Sequence, residues 1–266
     1  MNAHDRWSPQ QYRKFWTERR QPFDDLLALV RPVPGGRVLD LGCGDGELTV
    51  ELHRRLGARE TVGIDSSAAM LAEATHRGRT GDSTALRFEL ADLTTVEPDG
   101  SWDVVAANAS LQWVPDHSQL LGRLQGALRP GGQLAVQIPA NWDHPSHTVA
   151  VELGEPLGVP PAVGHHSVLA PERYAELLHE LGFAEQIVRL QVYGHQLDRT
   201  AAVVDWMRGS LLTHYERALD AATFSGFLAE YRTRLLDALD DPTGDRPYFF
   251  AFKRILFWAR RPVSAA

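Results

Sequence analysis

The sequence predicts an α/β protein: an open, mostly parallel seven-stranded sheet with helices on both faces and a helical cap. Three observations carry that reading. Residues 37–52 run from a short apolar strand through a glycine-rich turn into a helix. Strand and helix patterns then alternate as far as residue 140, the arrangement that builds parallel sheets with crossover helices. A long helical stretch, 201–240, interrupts the last two strand patterns and is placed to cover the carboxyl ends of the strands.

The elements follow in order. Residues 7–30 are amphipathic, with Tyr12, Phe15, Trp16, Phe23, Leu26, Leu27 and Val30 at helical spacing. Pro22 inside this stretch predicts two short helices, and Pro32 and Pro34 end them. Strands are expected at 37–41, 61–65, 87–93, 102–108 and 133–139. A serine of the pair Ser66-Ser67 is expected to cap the second crossover helix. The helix at 120–128 is stopped by Arg129-Pro130-Gly131-Gly132. The segment 141–147 continues on the ligand side, and prolines 156, 160 and 161 with Gly164 mark a loop. A helix at 171–181 closed by Gly182, a strand at 184–193 and a last strand at 248–259 complete the set. The expected organisation is one domain, 1–266, with an N-terminal helical lid at 1–34 and a ligand-binding core at 35–140. The C-terminal part, 141–266, carries the cap inserted at about 198–245.

Composition narrows the function. The 266 residues carry a net charge of −7, which argues against a general nucleic-acid binder, since such a protein needs basic surface to displace counterions. Cys43 is the single cysteine, so an internal disulfide and a cysteine metal cluster are excluded. The start Met1-Asn2-Ala3-His4-Asp5-Arg6 lacks an apolar signal region, and the most apolar run, 248–252, is cut by Lys253. A cytoplasmic protein that contacts no membrane is expected. His144/His147 and His165/His166 lack the helical i, i+4 spacing with an acid that a metal site uses, so no metal is expected. No Gly-x-Ser-x-Gly nucleophile elbow is present.

The glycine turn points to a nucleotide-like cofactor. Glycine lets the backbone approach a ligand closely, and the N–H groups of a helix start favour anionic or polar ligand atoms. A dinucleotide fingerprint would place a third glycine at residue 47, where this chain has Glu47, and no phosphate-loop Gly-Lys-Ser/Thr follows. Asp65 ends the second strand about twenty residues after the turn, where a carboxylate accepts both ribose hydroxyls; the rival role is a partner for a helix dipole. Asn108, Gln112 and Trp113 pass the carboxyl end of the fourth strand, at the place where such sheets bind ligands, although Trp113 also suits plain packing.

Asp40-Leu41-Gly42-Cys43-Gly44-Asp45-Gly46 resembles the first motif of the class I S-adenosylmethionine-dependent methyltransferases, whose fold is Rossmann-like. Pro130-Gly131-Gly132 before the fifth strand is similar to another feature of that class. Further segments resemble the trans-aconitate methyltransferase family: Trp7-Ser8-Pro9, Ile64-Asp65-Ser66-Ser67 with Met70, Asn108-Ala109-Ser110-Leu111-Gln112-Trp113, and Ala135-Val136-Gln137-Ile138-Pro139 with Asn141-Trp142 and Asp205-Trp206. The resemblance implies S-adenosylmethionine as cofactor, S-adenosylhomocysteine as product, and O-methylation of a carboxylate on a small acid. It implies cofactor contacts from Gly42, Cys43, Gly44, Gly46, Asp65, Ser66, Met70, Asp92, Leu93 and Asn108, with Asp92 and Leu93 at the adenine. Substrate contacts are expected from Tyr12, Trp16, Arg19, Gln112, Trp113, Asn141 and Arg208. Two family arginines are replaced here, one by Gln21 and one within Gly209-Ser210-Leu211-Leu212-Thr213-His214-Tyr215, which leaves Arg19, Arg20, Arg208 and Arg246 as carboxylate partners. An ionised carboxylate needs no general base; for a phenol, alcohol or amine, His144 or His165 would serve, and Trp113 is the other candidate at the reacting centre. A methyltransferase for another small metabolite, a non-catalytic cofactor binder and an NAD dehydrogenase are the alternatives. A monomer is expected, because one catalytic unit is complete in the chain.

Overall fold

Short runs of β-branched and apolar residues form strands buried on both faces, as the sequence Arg37-Val38-Leu39-Asp40-Leu41 does in β1 (Arg37–Leu41). The others are β2 (Glu60–Asp65), β3 (Leu86–Leu90), β4 (Trp102–Asn108), β5 (Leu128–Pro139), β6 (Glu185–Leu197) and β7 (Tyr248–Arg260). The computed structural model describes residues 16–80, 85–94 and 99–263. Its sheet has the order β3-β2-β1-β4-β5-β7-β6. The first five strands are parallel, and β7 runs antiparallel to both β5 and β6. The chain leaves β1 toward β2 and β3, then returns to lay β4 and β5 on the other side. That reversal between β1 and β4 opens a crevice beyond their carboxyl ends.

Helices cover both faces. Against one lie α1 (Trp16–Leu27) and α2 (Glu47–Leu56), which bury Phe23, Leu26, Leu27, Leu52 and Leu56 on Val38, Ala106, Ala135 and Leu256. α3 (Ala68–Thr80) lies beside α2 on that face, where Gly78 meets the Phe88 ring of β3; the other face carries α4 (His117–Ala127) and, after α5 (Pro145–Gly154), α6 (Pro171–Glu180). There α4 and α6 pack Leu120, Leu121, Leu124, Tyr174 and Leu178 against Val105, Val136 and Phe257. Between β6 and β7 the chain inserts α7 (Ala202–Arg208), α8 (Leu212–Ala218) and α9 (Ala221–Ala238). With α5 they form a separate apolar cluster over Phe250 and Phe252, and α9 starts where Asp220 accepts from the N–H groups of Ala222 and Thr223.

Several boundaries differ from the sequence reading. Pro22 does not divide α1; the helix runs through it, held by the buried stripe Phe23, Leu26 and Leu27, which outweighs the one backbone bond proline removes. Arg129-Pro130-Gly131-Gly132 lies within β5 rather than before it, as an irregularity: Leu128 pairs with Trp102 and Gln133 with Val104. β6 extends to Leu197 because β7 offers a partner along its whole length. The residues after Pro145 form α5 where no helix was expected, started by the His144 ring, which accepts from the Ser146 N–H. Among the described residues no helix is long and apolar enough to cross a membrane.

Candidate active site

The turn after β1 is shaped by contact. Gly42 has φ +75°, and a Cβ there would lie 2.3 Å from the Ser110 Cβ, so only glycine lets the two strand ends meet. The Ser110 hydroxyl donates to the Leu41 carbonyl at 2.5 Å, which ties the end of β1 to the segment after β4. Asp65 ties it to β2: one carboxylate oxygen accepts from the Gly44 N–H and the other from the Ser67 N–H, both at 2.9 Å. Ser67 in turn caps α3, its hydroxyl accepting from the Met70 N–H. Below the turn, burial lifts the Asp40 carboxyl to about 6; the Thr49 hydroxyl, donating at 2.6 Å, opposes the rise, and the Asp65 charge adds to it.

Over these groups lies a cavity of about 570 Å³. Gly42, Gly44, Asp65, Ser66, Met70, Asp92, Leu93 and Asn108 line it, and Thr213, His214 and Arg217 of α8 face it from the cap. Cys43 and Gly46, expected among the ligand contacts, are outside its wall. The Cys43 side chain is buried against the Gly63 backbone, and burial pushes its thiol far up. A Cβ on Gly46 would strike Phe88 and Ala74, so this glycine permits close packing of the turn on β3 and α3.

A second, smaller cavity of about 90 Å³ shares Asn108, Ala109 and Trp113 with the first. Its remaining wall comes from distant segments: Gln112, Gln137 and Pro139, then Trp142 and His147, then Trp206, Met207 and Leu211, and finally Phe252 and Arg254. Asn108 and Gln137 are register partners on β4 and β5, and Arg254 is two residues from Leu256, the partner of Gln137 on β7. A polar row therefore crosses three central strands on one face. Ala109, at the shared wall, has a positive φ of 55°, rare for a residue with a side chain. It is held by its N–H donating to the Gln137 carbonyl and its carbonyl accepting from the Gln112 amide.

A chain of hydrogen-bonded side chains leads to the wall of the same cavity at His147. His144 Nδ1 accepts from the Ser146 N–H at 3.1 Å, its Nε2 lies 3.0 Å from the Tyr248 hydroxyl, and the Ser146 hydroxyl lies 3.1 Å from His147 Nδ1. Burial lowers His144 to about 4 and His147 to about 3, so both rings are neutral near pH 7. His144 and His165 were the base candidates, and neither lines either cavity: the first starts α5, and the second stacks on Trp142 at 6.3 Å. His147 is the histidine in the wall.

The expected substrate residues scatter. Gln112 and Trp113 line the smaller cavity. Asn141 is buried beside it, its side-chain oxygen accepting from the Lys253 N–H, which locks the end of β5 to β7. Arg208 is exposed on α7 and outside both walls; Arg246 pairs with Asp241, and Arg20 with Asp24 and Glu51. Tyr12 lies outside the described residues, as do the side chains of Trp16 and Arg19 in α1. Gln137, His147 and Arg254 were missed. A signal for two of them existed: Gln137 and Arg254 are polar residues set among the apolar ones of central strands.

Residues 15–186 match the family model of a methyltransferase domain. A trans-aconitate 2-methyltransferase of Deinococcus radiodurans is 42% identical over 264 residues, which cover 96% of this chain and 98% of that one. The chain belongs to this family. Solved structures share the class I methyltransferase fold. The YcgJ protein of Bacillus subtilis superposes with a TM-score of 0.63 at 15% identity, covering 91% of this chain and 99% of that one. The phosphoethanolamine N-methyltransferase 2 of Haemonchus contortus, solved with phosphomonomethylethanolamine and S-adenosylhomocysteine, gives 0.57 at 19% identity and covers 91% and 53%. As a trans-aconitate 2-methyltransferase family member, the chain sets its glycine turn and its polar row on either side of one wall, Asn108–Ala109–Trp113.

Proposed function

We propose that the protein moves a methyl group from S-adenosylmethionine to a carboxylate of trans-aconitate or a small acid of the same shape. The observation that carries this reading is the pair of cavities meeting across Asn108, Ala109 and Trp113. The larger suits the cofactor: Asp65, acceptor-only when ionised, matches a ribose diol, and Asp92 with Leu93 stands at the adenine end. Gly42 and Gly44 leave room for the amino-acid end, and Asn108 reaches the boundary. When bound, the cofactor supplies a sulfonium methyl that an acceptor oxygen takes in line, releasing S-adenosylhomocysteine.

The smaller cavity suits the acid. The cation of Arg254 stands in its wall, and no Asp or Glu does among the described residues. Gln112 and Trp113 orient the acceptor. Carboxylic acids ionise near about pH 4, so the nucleophile needs no base at neutral pH. The residues then act by alignment and by excluding water from the acceptor oxygen. His147, lowered to about 3, is too weak a base to activate a phenol or an amine, which favours the acid. The working species in this reading is a monomer.

A panel of small acids, phenols and amines, incubated with the protein and S-adenosylmethionine and read by mass spectrometry, tests this. A methyl ester of trans-aconitate is expected. Methylation confined to phenols or amines would overturn the acceptor, and S-adenosylmethionine bound without turnover of any acceptor would leave only a binding protein.

A further inference from the structure

Neither Arg20 nor the cap's Arg208, Arg217 and Arg246 lines the smaller cavity, Arg217 facing the larger one, so a polyacid seated there needs other groups. Within the smaller cavity, Gln137 is fully buried and Arg254 nearly so. The Arg254 guanidinium lies over the Phe252 ring at 4.9 Å and donates from Nη1 to the Gln137 side-chain oxygen at 3.3 Å. A guanidinium can only donate, so this contact fixes which end of the amide faces it. The Gln137 Nε2 group, the other end of that amide, is buried and without a hydrogen-bond partner among the described residues.

Trp142 supplies a second such donor. Its Nε1–H is likewise buried and without a partner among the described residues. The ring is fixed by packing: a Cβ on Gly164 would lie 2.3 Å from it, His147 meets its edge at 5.1 Å, and His165 stacks on it at 6.3 Å. Two orphaned donors in one cavity wall beside a cation are costly unless a ligand supplies acceptor oxygens. An anion is the ligand that satisfies them, because a carboxylate has only lone pairs to offer.

We infer that Gln137 Nε2 and Trp142 Nε1, with the cation of Arg254, hold a non-reacting carboxylate of the acceptor and are the residues through which the site tells a polycarboxylate from a monoacid. This rests on the carboxylate reading proposed above and names the residues that set its specificity. Arg254 is a positioning residue toward Gln137 as well as a charge. The reacting carboxylate then lies at the opposite end, beside Asn108 and Trp113.

The test compares trans-aconitate with crotonate, a monoacid sharing its double bond, for the intact protein and for Trp142→Phe and Gln137→Glu. Trp142→Phe keeps the ring and removes only the N–H. Loss of one hydrogen bond to a charged group is expected to raise KM for trans-aconitate roughly tenfold or more, with kcat and S-adenosylmethionine affinity little changed and crotonate kinetics unmoved. Gln137→Glu, which offers acceptors where donors stood, is expected to do the same more strongly. Equal effects on both acids, or none on either, would overturn the inference. Calorimetric titration of trans-aconitate into protein saturated with S-adenosylhomocysteine separates it from the functional reading. Binding to the unaltered protein that the variants lose, without turnover of any acid, would sink the reaction and leave the cradle standing. Absence of binding would sink the cradle.

Discussion

The two cavities share a wall and are built in opposite ways. The larger is assembled from successive strand ends, Gly42 and Gly44 after β1, Asp65 at β2, Asp92 beyond β3 and Asn108 at β4, and its charged side chains within the sheet are acids. The smaller draws on segments far apart in sequence, from Asn108 to Arg254, and the charge in its wall is a buried cation. A doubly wound sheet fixes the first kind of site wherever strands end at a reversal, whatever the protein methylates. The second depends on which side chains of β5, β7, α5 and the cap face inward, and it is there that the acceptor is proposed to bind.

The largest effect should follow from breaking the larger cavity. Gly42→Ala forces a Cβ against Ser110 in a left-handed backbone, and should cost about 2–4 kcal/mol of stability and abolish S-adenosylmethionine binding. Thermal unfolding and calorimetry measure both. Adding Ser110→Gly should restore part of the loss, because the Ser110 Cβ is the atom met. A single variant that folds and binds normally would show that the turn does not need its close approach.

A smaller effect should come from Asp40, beneath the turn. Its carboxyl sits at about 6 when folded, above an ordinary unfolded value, so the stability it contributes is complete below about pH 4 and is lost as pH rises through about 6. Asp40→Asn does not titrate and still accepts from Thr49. Denaturant unfolding of the two proteins should show the variant gaining about 2–3 kcal/mol on the original between pH 4 and pH 7. A difference flat across that range would mean that Asp40 is not raised. The smallest effect belongs to the shared wall. Ala109→Gly relieves a positive φ and adds chain entropy, so stability should change by less than about 1 kcal/mol, whichever way it goes. A larger loss in chemical unfolding would mean that the Ala109 methyl group is itself a packing element.

The same contrast explains what was legible beforehand. The series Gly42, Asp65, Asp92 and Asn108, which lines the larger cavity, was legible because strand patterns put Gly42, Asp65 and Asn108 at carboxyl ends and the family resemblance adds Asp92. The cap could be placed between the last two strands for a similar reason, although its breaks at Gly209-Ser210-Leu211 and Leu219-Asp220 could not be located from helical spacing. Cys43 and Gly46 share the motif, but they point into packing, a direction that glycine spacing does not specify. On the acceptor side, Arg208 of the cap is exposed, while the cation in the wall, Arg254, follows Lys253 in the last strand, where sequence alone does not tell which side chain faces the cavity. Its meaning depends on β7 lying beside β5, a pairing across more than a hundred residues that no local pattern reveals. His144 and His147 posed the same difficulty: one starts a helix and the other faces the cavity, and only the formation of α5 decides which.

The account stands on the two cavities meeting at one wall, and a crystal structure with S-adenosylhomocysteine and trans-aconitate bound together tests it most directly. The thioether sulfur and one carboxylate oxygen should face each other beside Asn108, Ala109 and Trp113, spaced so that a methyl on the sulfur would stand roughly 3–3.5 Å from the oxygen. Trans-aconitate bound elsewhere, or the cofactor product outside the glycine turn, would contradict it.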